Sequence, residues 1–175
     1  MPAMERRELL RRIHLFSDLT DRESDTILDL MREKTVARGT SVFHQNDSGG
    51  GLYLILSGSV KISRTGRDGR EVTVAVLHEG NFFGEMSLLD GQPRSASATA
   101  AQGARLLVLD REHFQRYVLN QTSIMAKLLR ELSKRLRAAD RTIENLALGS
   151  VHDRLVCLIG HLGRRTPVKD GTGVI

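Results

Sequence analysis

The sequence predicts a mainly β domain of the sandwich or barrel kind, with helices in front of it and one long helix behind it. Three observations predict this. Between residues 39 and 110 the apolar and β-branched runs are short and are punctuated by glycine at near-regular intervals. Ahead of them, apolar residues fall at helical spacing, and after them a stripe of leucines and their equivalents alternates spacings of four and three.

Taken in order, Leu9, Leu10 and Ile13, then Ile27, Leu28, Leu30 and Met31, have the spacing of buried helix faces on either side of a break at Phe16-Ser17-Asp18. Thr20 followed by Glu23 reads as a capping box opening the second helix. After Arg38-Gly39 the texture changes. Ser41-Val42-Phe43, Leu52 to Leu56, Val60 to Ser63, Val72 to Leu77, Ser97 to Ala101 and Leu106 to Leu109 read as strands. Glycines at 49–51, 58, 66–69, 80, 91 and 103 supply the turns, and about seven strands at this spacing close into a sandwich or barrel.

From Arg111 the sequence turns helical and meets no proline until Pro167. Met125, Leu129, Leu132, Leu136, Ala139, Ile143 and Leu146 form a seam flanked by Lys, Arg and Glu, the pattern of a coiled coil with a second copy of the chain. At 1.5 Å per residue the segment from Thr122 to Ala147 would run about 39 Å. A homodimer through residues 119–148 is the expectation. Beyond Gly149, Val151, Leu155, Leu158, Ile159 and Leu162 make another helical stripe before a polar run at 164–173. The chain stops at Val174-Ile175 as though a strand were beginning, so residues 149–175 read as a helix and linker leading to a further domain.

Composition narrows the function classes. Of the 175 residues, 40% are hydrophobic and 27% charged, and no stretch approaches the roughly 20 apolar residues that span a bilayer. The N-terminal MPAMERRELLRR lacks the apolar core of a signal peptide, so a cytoplasmic protein without a membrane role is expected. Cys157 is the single cysteine, which excludes an internal disulfide and an all-cysteine iron–sulfur site within one chain. The net charge of +5 and isoelectric point near 9.9 are compatible with nucleic acid nearby. Much of the excess lies between Lys127 and Arg141, where a solvated helix face is the plainer reading.

The chemistry is concentrated in Phe83-Gly84-Glu85-Met86-Ser87-Leu88-Leu89-Asp90-Gly91-Gln92-Pro93-Arg94-Ser95-Ala96, followed by Ala100. A glycine lets backbone approach a ligand, and a short helix after it can aim free N–H groups at an anion. Arg94 supplies a charged fork suited to phosphate, and Ser95 adds a hydroxyl and a backbone N–H. Glu85 would repel a phosphate, so it fits better as acceptor for a ribose hydroxyl or as the ion partner of an arginine.

This stretch resembles the phosphate-binding cassette of cyclic nucleotide-binding domains: FGE, a small or apolar run, then arginine, serine, alanine and a later alanine. Tyr53 to Gly58 and Asn145-Leu146-Ala147 also resemble segments of the cyclic AMP receptor and fumarate-nitrate reduction regulator superfamily, and the likeness runs from about Leu9 to Leu162. The resemblance implies a double-stranded β-helix (jelly-roll) barrel over residues 1–118, with N-terminal helices, a dimerisation helix over 119–148, and a helix-turn-helix beyond 149–175. It implies a transcription regulator that binds a cyclic nucleotide, cyclic AMP first, and passes the signal to DNA, with RNA polymerase as a further partner. Gly84 and Glu85 would meet the ribose, Arg94 and Ser95 the phosphate, and Met86 would act through its backbone. Ile62 and Val74 would line an apolar wall, and Arg135 would pair with Glu85. Where the cyclic-AMP-responsive members use adjacent Thr and Ser on the long helix to hold adenine, this chain has Ala139 and Asp140. Cyclic di-GMP, haem or no ligand at all therefore stand as alternatives.

Other classes fare worse. A barrel enzyme of the metal-binding kind needs histidines converging on one ion, whereas His14, His44, His78, His113, His152 and His161 are scattered with no H-x-H pair. No catalysis and no metal are expected. Haem with His78 or His113 as axial ligand ranks below the nucleotide, and a kinase or channel module ranks below a DNA-binding neighbour.

Overall fold

The computed structural model describes residues 3–148. The chain divides into two compact units, Met1–Leu128 and Leu129–Ile175. The expected helix and linker at 149–175, with Val151 to Leu162, Cys157, His152 and His161, lie outside the described residues, as does the side chain of Leu146.

The first unit opens with α1 (Ala3–Arg12), a 3-10 turn (His14–Phe16) and α2 (Asp21–Asp29). Leu10, Ile13, Leu15, Phe16, Ile27 and Leu28 are buried, so the helical stripe does what its spacing implies. The capping box is present: Glu23 N donates to Thr20 Oγ1 at 3.3 Å, and Thr20 N donates to a Glu23 carboxylate oxygen at 2.9 Å. One expectation is corrected here. The stripe does not continue to Met31 as helix, because α2 ends at Asp29 with Leu30 as its cap, and Met31 opens a strand opposite Leu109. Pairing with a central strand outweighs the local helical spacing.

Eight strands follow: β1 (Met31–Val36), β2 (Ser41–Phe43), β3 (Gly51–Ser57), β4 (Ser59–Thr65), β5 (Glu71–His78), β6 (Phe82–Phe83), β7 (Ser97–Ala100) and β8 (Ala104–Asp110). They form two antiparallel four-stranded sheets in the orders β1-β8-β3-β6 and β2-β7-β4-β5. Val36, Ile55, Phe83, Ala104 and Leu106 from the first sheet share one core with Val60, Ala98 and Ala100 from the second. This is a jelly-roll arrangement, in which residues alternating inward from both sheets meet in the middle.

Between β6 and β7 lies α3 (Met86–Leu89). After β8 come α4 (Arg111–His113), a π-helical turn (Phe114–Val118) and α5 (Thr122–Leu148), which runs 27 residues. The first turns of α5 belong to the first unit: Ile124 and Leu128 are buried there. Lys127 Nζ donates to Ser17 Oγ at 2.7 Å and pairs with Asp18 at 2.7 Å. In the second unit, α5 exposes Leu129 by 59%, Leu136 by 64% and Ile143 by 62%. Arg135 lies 3.7 Å from the Glu131 carboxylate, one turn earlier. No described helix is long and apolar enough to cross a membrane.

Candidate functional site

The site begins where β6 gives way to α3. Tyr53 and Leu54 of β3 pair with Phe83 and Phe82, which fixes the exit point of the chain. Gly84 then takes φ +84°, a conformation that favours glycine. A Cβ at Gly84 would also sit 2.7 Å from Arg94 Nη1 and 2.9 Å from the Gly51 carbonyl oxygen. Glycine is required there twice over, by conformation and by close approach. Glu85, at the cap of α3, is 3% exposed.

Arg94 reaches this corner from the loop before β7. Its backbone is pinned by Asn46 N donating to Arg94 O and Arg94 N donating to Asp47 O, both at 2.9 Å. Its side chain is 3% exposed and enters a cage of neutral acceptors. Nη1 donates to Gly84 O at 2.6 Å and to Ser87 Oγ at 2.9 Å, while Nη2 donates to Gly51 O at 2.8 Å. The guanidinium carbon lies 4.2 Å from the centre of the Phe43 ring and 5.6 Å from that of Tyr53, within cation–π range. Nε is buried without a hydrogen-bond partner. Burial pushes the guanidinium below its ordinary pKa, and the nearby charge of Arg111 adds to that, against the raising influence of Tyr53 and Glu85. A deeply placed cation with an unsatisfied N–H is the chemistry of an anion receptor.

The remaining expected residues divide. Met86 is 48% exposed, and the exposed Ser95 hydroxyl lies 3.5 Å from its sulfur, so Gly84, Glu85, Met86, Arg94 and Ser95 meet at one corner. Ile62 packs half-buried against the inner core. Val74 stands on β5, the terminal strand of its sheet, and is 59% exposed. Arg135, Ala139 and Asp140 belong to the second unit. Among the described residues no cluster of three or more His, Cys, Asp or Glu could hold a metal ion. His113 Nδ1 instead lies 2.9 Å from the Asp110 carboxylate.

Sequence reasoning passed over Ser87, Gly51, Phe43 and Arg111. Arg111 Nε and Nη2 donate to Gly49 O at 3.1 and 2.8 Å, and Nη2 donates to Ser87 O at 2.9 Å. A hydroxyl inside the cassette and an arginine directly after a strand-ending aspartate were the available signals.

Known proteins similar to this chain show its family. The cyclic nucleotide-binding domain family matches residues 33–121, which contain the whole corner. The chain belongs to that family. Its relatives include bacterial regulators. A cyclic AMP receptor protein of Thermus thermophilus is 38% identical over 141 residues, covering 81% of this chain and 65% of its own length. A CRP-like cAMP-activated global transcriptional regulator of Mycobacterium tuberculosis is 30% identical over 164 residues, covering 94% of this chain and 73% of its own. A solved structure of a cyclic di-GMP-responsive global regulator of Xanthomonas campestris superposes with a TM-score of 0.73 at 27% identity, over 85% of this chain and 74% of that one. The chain thus spans about two thirds to three quarters of these regulators.

Proposed function

We propose that this chain is the sensory and dimerisation region of a cytoplasmic transcription regulator, not a catalyst, and that its effector is a cyclic nucleotide, with cyclic AMP as the first candidate. The buried Arg94 carries the reading, because its Nε–H has no acceptor while Nη1 and Nη2 are already committed to the cage. A phosphate oxygen is the acceptor that such a cation favours. Ser95 adds a hydroxyl at the exposed rim, Glu85 takes the ribose, and Met86 offers its backbone. Ile62 and Val74 contribute apolar surface.

In this reading Arg135 pairs with Glu85, which ties the nucleotide to α5, and α5 self-associates through Met125, Leu129, Leu132, Leu136, Ala139, Ile143 and Leu146. Support for the dimer comes from the apolar side chains that the second unit leaves exposed at Leu129, Leu136 and Ile143. DNA, and through it RNA polymerase, are the proposed partners of the full-length regulator. A second reading keeps the site and changes the effector. Ala139 offers adenine no hydrogen bond, and the Xanthomonas relative is described as responding to cyclic di-GMP.

Calorimetric titration with cyclic AMP, cyclic GMP and cyclic di-GMP, beside an Arg94→Leu control, tests both readings. Saturable binding of one nucleotide, lost in the control, names the effector. Heat changes indistinguishable from dilution for all three would overturn the proposal.

A further inference from the structure

Resting on that reading, we propose that Arg111 is a positioning residue for the cyclic phosphate, a planar strut that holds the 49–51 segment and α3 in the arrangement at which Arg94 presents Nε. The side-chain hydrogen bonds of Arg111 run to main-chain carbonyls: Gly49 O twice and Ser87 O once. Its own N–H donates to Gly50 O at 3.1 Å. Arg94 joins the same two segments as well, through Gly51 O on one hand and Gly84 O with Ser87 Oγ on the other. Ser87 is therefore gripped at its hydroxyl by Arg94 and at its carbonyl by Arg111.

The fit between the segments leaves no slack. A Cβ at Gly49 would collide with the Ser87 side chain, so backbone lies directly against α3. A guanidinium spans two carbonyls at a fixed angle because its donors are coplanar, whereas an ammonium meets them one at a time. Placing this second cation near Arg94 carries an electrostatic penalty, since its charge opposes ionisation of Arg94. An apolar side chain would tie the segments without that penalty but would leave both carbonyls without donors. A binding group set in place by such an outer layer loses affinity when the layer is loosened by fractions of an ångström. Arg111 is also the first residue of α4, directly before the π-helical turn that leads to α5, and such turns are frequent at functional positions.

The test uses the full chain and three proteins: wild type, Arg111→Lys and Arg111→Gln. Calorimetry measures cyclic AMP, cyclic GMP and cyclic di-GMP affinity, and side-chain NMR follows exchange of the Arg94 Nε proton with water. Both variants are expected to bind the wild-type effector about tenfold more weakly, with faster Arg94 Nε exchange and no rescue by lysine. Wild-type affinity in either folded variant overturns the strut, and in the lysine variant it reduces the role to charge alone. If Arg111→Gln does not fold, Arg111→Lys decides the matter. A wild type that binds none of the three nucleotides refutes the nucleotide reading instead, and unchanged Arg94 Nε exchange still refutes the strut.

Discussion

Replacing Arg94 with leucine separates the two tasks that this side chain performs. Without ligand, the substitution removes three hydrogen bonds, to Gly84 O, Ser87 Oγ and Gly51 O. Bonds from a charged donor are worth about 1.5–3 kcal/mol each, but leucine also removes the desolvation penalty of a buried cation, so a net loss of about 1–3 kcal/mol is expected. For a unit of this size that lowers Tm by about 4–12 °C. With ligand the difference grows. An effector at a hundredfold its Kd stabilises the wild type by about 2.7 kcal/mol, roughly 10 °C, and the leucine variant by nothing. Thermal melts of both proteins, with and without the effector identified by titration, measure the two terms separately. A leucine variant that keeps the full ligand-induced rise in Tm refutes the assignment of Arg94 to the phosphate. A variant whose ligand-free Tm matches wild type refutes the structural role of the cage.

Gly84→Ala should cripple the same corner by another route, because the new Cβ meets Gly51 O at 2.9 Å and φ is +84°; a cost of about 1–3 kcal/mol in urea unfolding and weaker nucleotide binding are expected. Polar substitution at both Leu132 and Leu136 should halve the mass seen by light scattering while leaving nucleotide affinity per chain measurable, and an unchanged dimer mass would remove the seam from the interface. Acid should destabilise the first unit. Hydrogen bonds from Arg7, from Thr20 and from the His113 backbone hold Asp25, Glu23 and Asp110 below their ordinary carboxylate values. Their contribution is therefore present above about pH 4 and is lost as pH falls through the lowered folded values. Urea midpoints between about pH 6 and 3 should decline, and less steeply in Asp25→Asn.

The fold was legible wherever one period dominated. Six strand runs were visible because β-branched and apolar residues are bounded by glycine, and the observed strands exceed those runs by only a residue or two at most ends. The first strand hid because Met31-Arg-Glu-Lys-Thr-Val carries four polar residues, and only its pairing with β8 makes it extended. The sixth hid because two residues have no periodicity. On α5 the stripe proposed as a dimer seam was visible in the sequence, but Ile124 and Leu128 lie on a second stripe that packs within the first unit, which four-three spacing does not reveal. In the proposed site, Arg94 and Gly84 were legible because their joint spacing with Glu85, Ser95, Ala96 and Ala100 resembles the phosphate-binding cassette. Ser87, Phe43 and Arg111 were not, because their roles depend on partners distant in sequence: Phe43 lies under Arg94, and Arg111 reaches back to Gly49.

The cage also limits how a nucleotide can act as a signal. Gly84 O, Ser87 Oγ and Gly51 O fix Arg94 in the barrel wall, and in the proposed reading a phosphate adds one further acceptor at Nε. A binding group held by the barrel in this way contributes affinity. It gives no switching by itself, because a ligand shifts an equilibrium only through a difference in affinity between two states. In the proposed regulator that difference must come from groups whose position the barrel does not fix, which directs attention to Arg135, Ala139 and Asp140 on α5. Changes at Arg94 should abolish both binding and response, whereas Arg135→Ala should keep saturable nucleotide binding, weakened by no more than the coupling it loses, about 1–3 kcal/mol, and leave the dimer insensitive to nucleotide. An Arg135→Ala dimer that still responds to nucleotide like wild type would refute this division of labour.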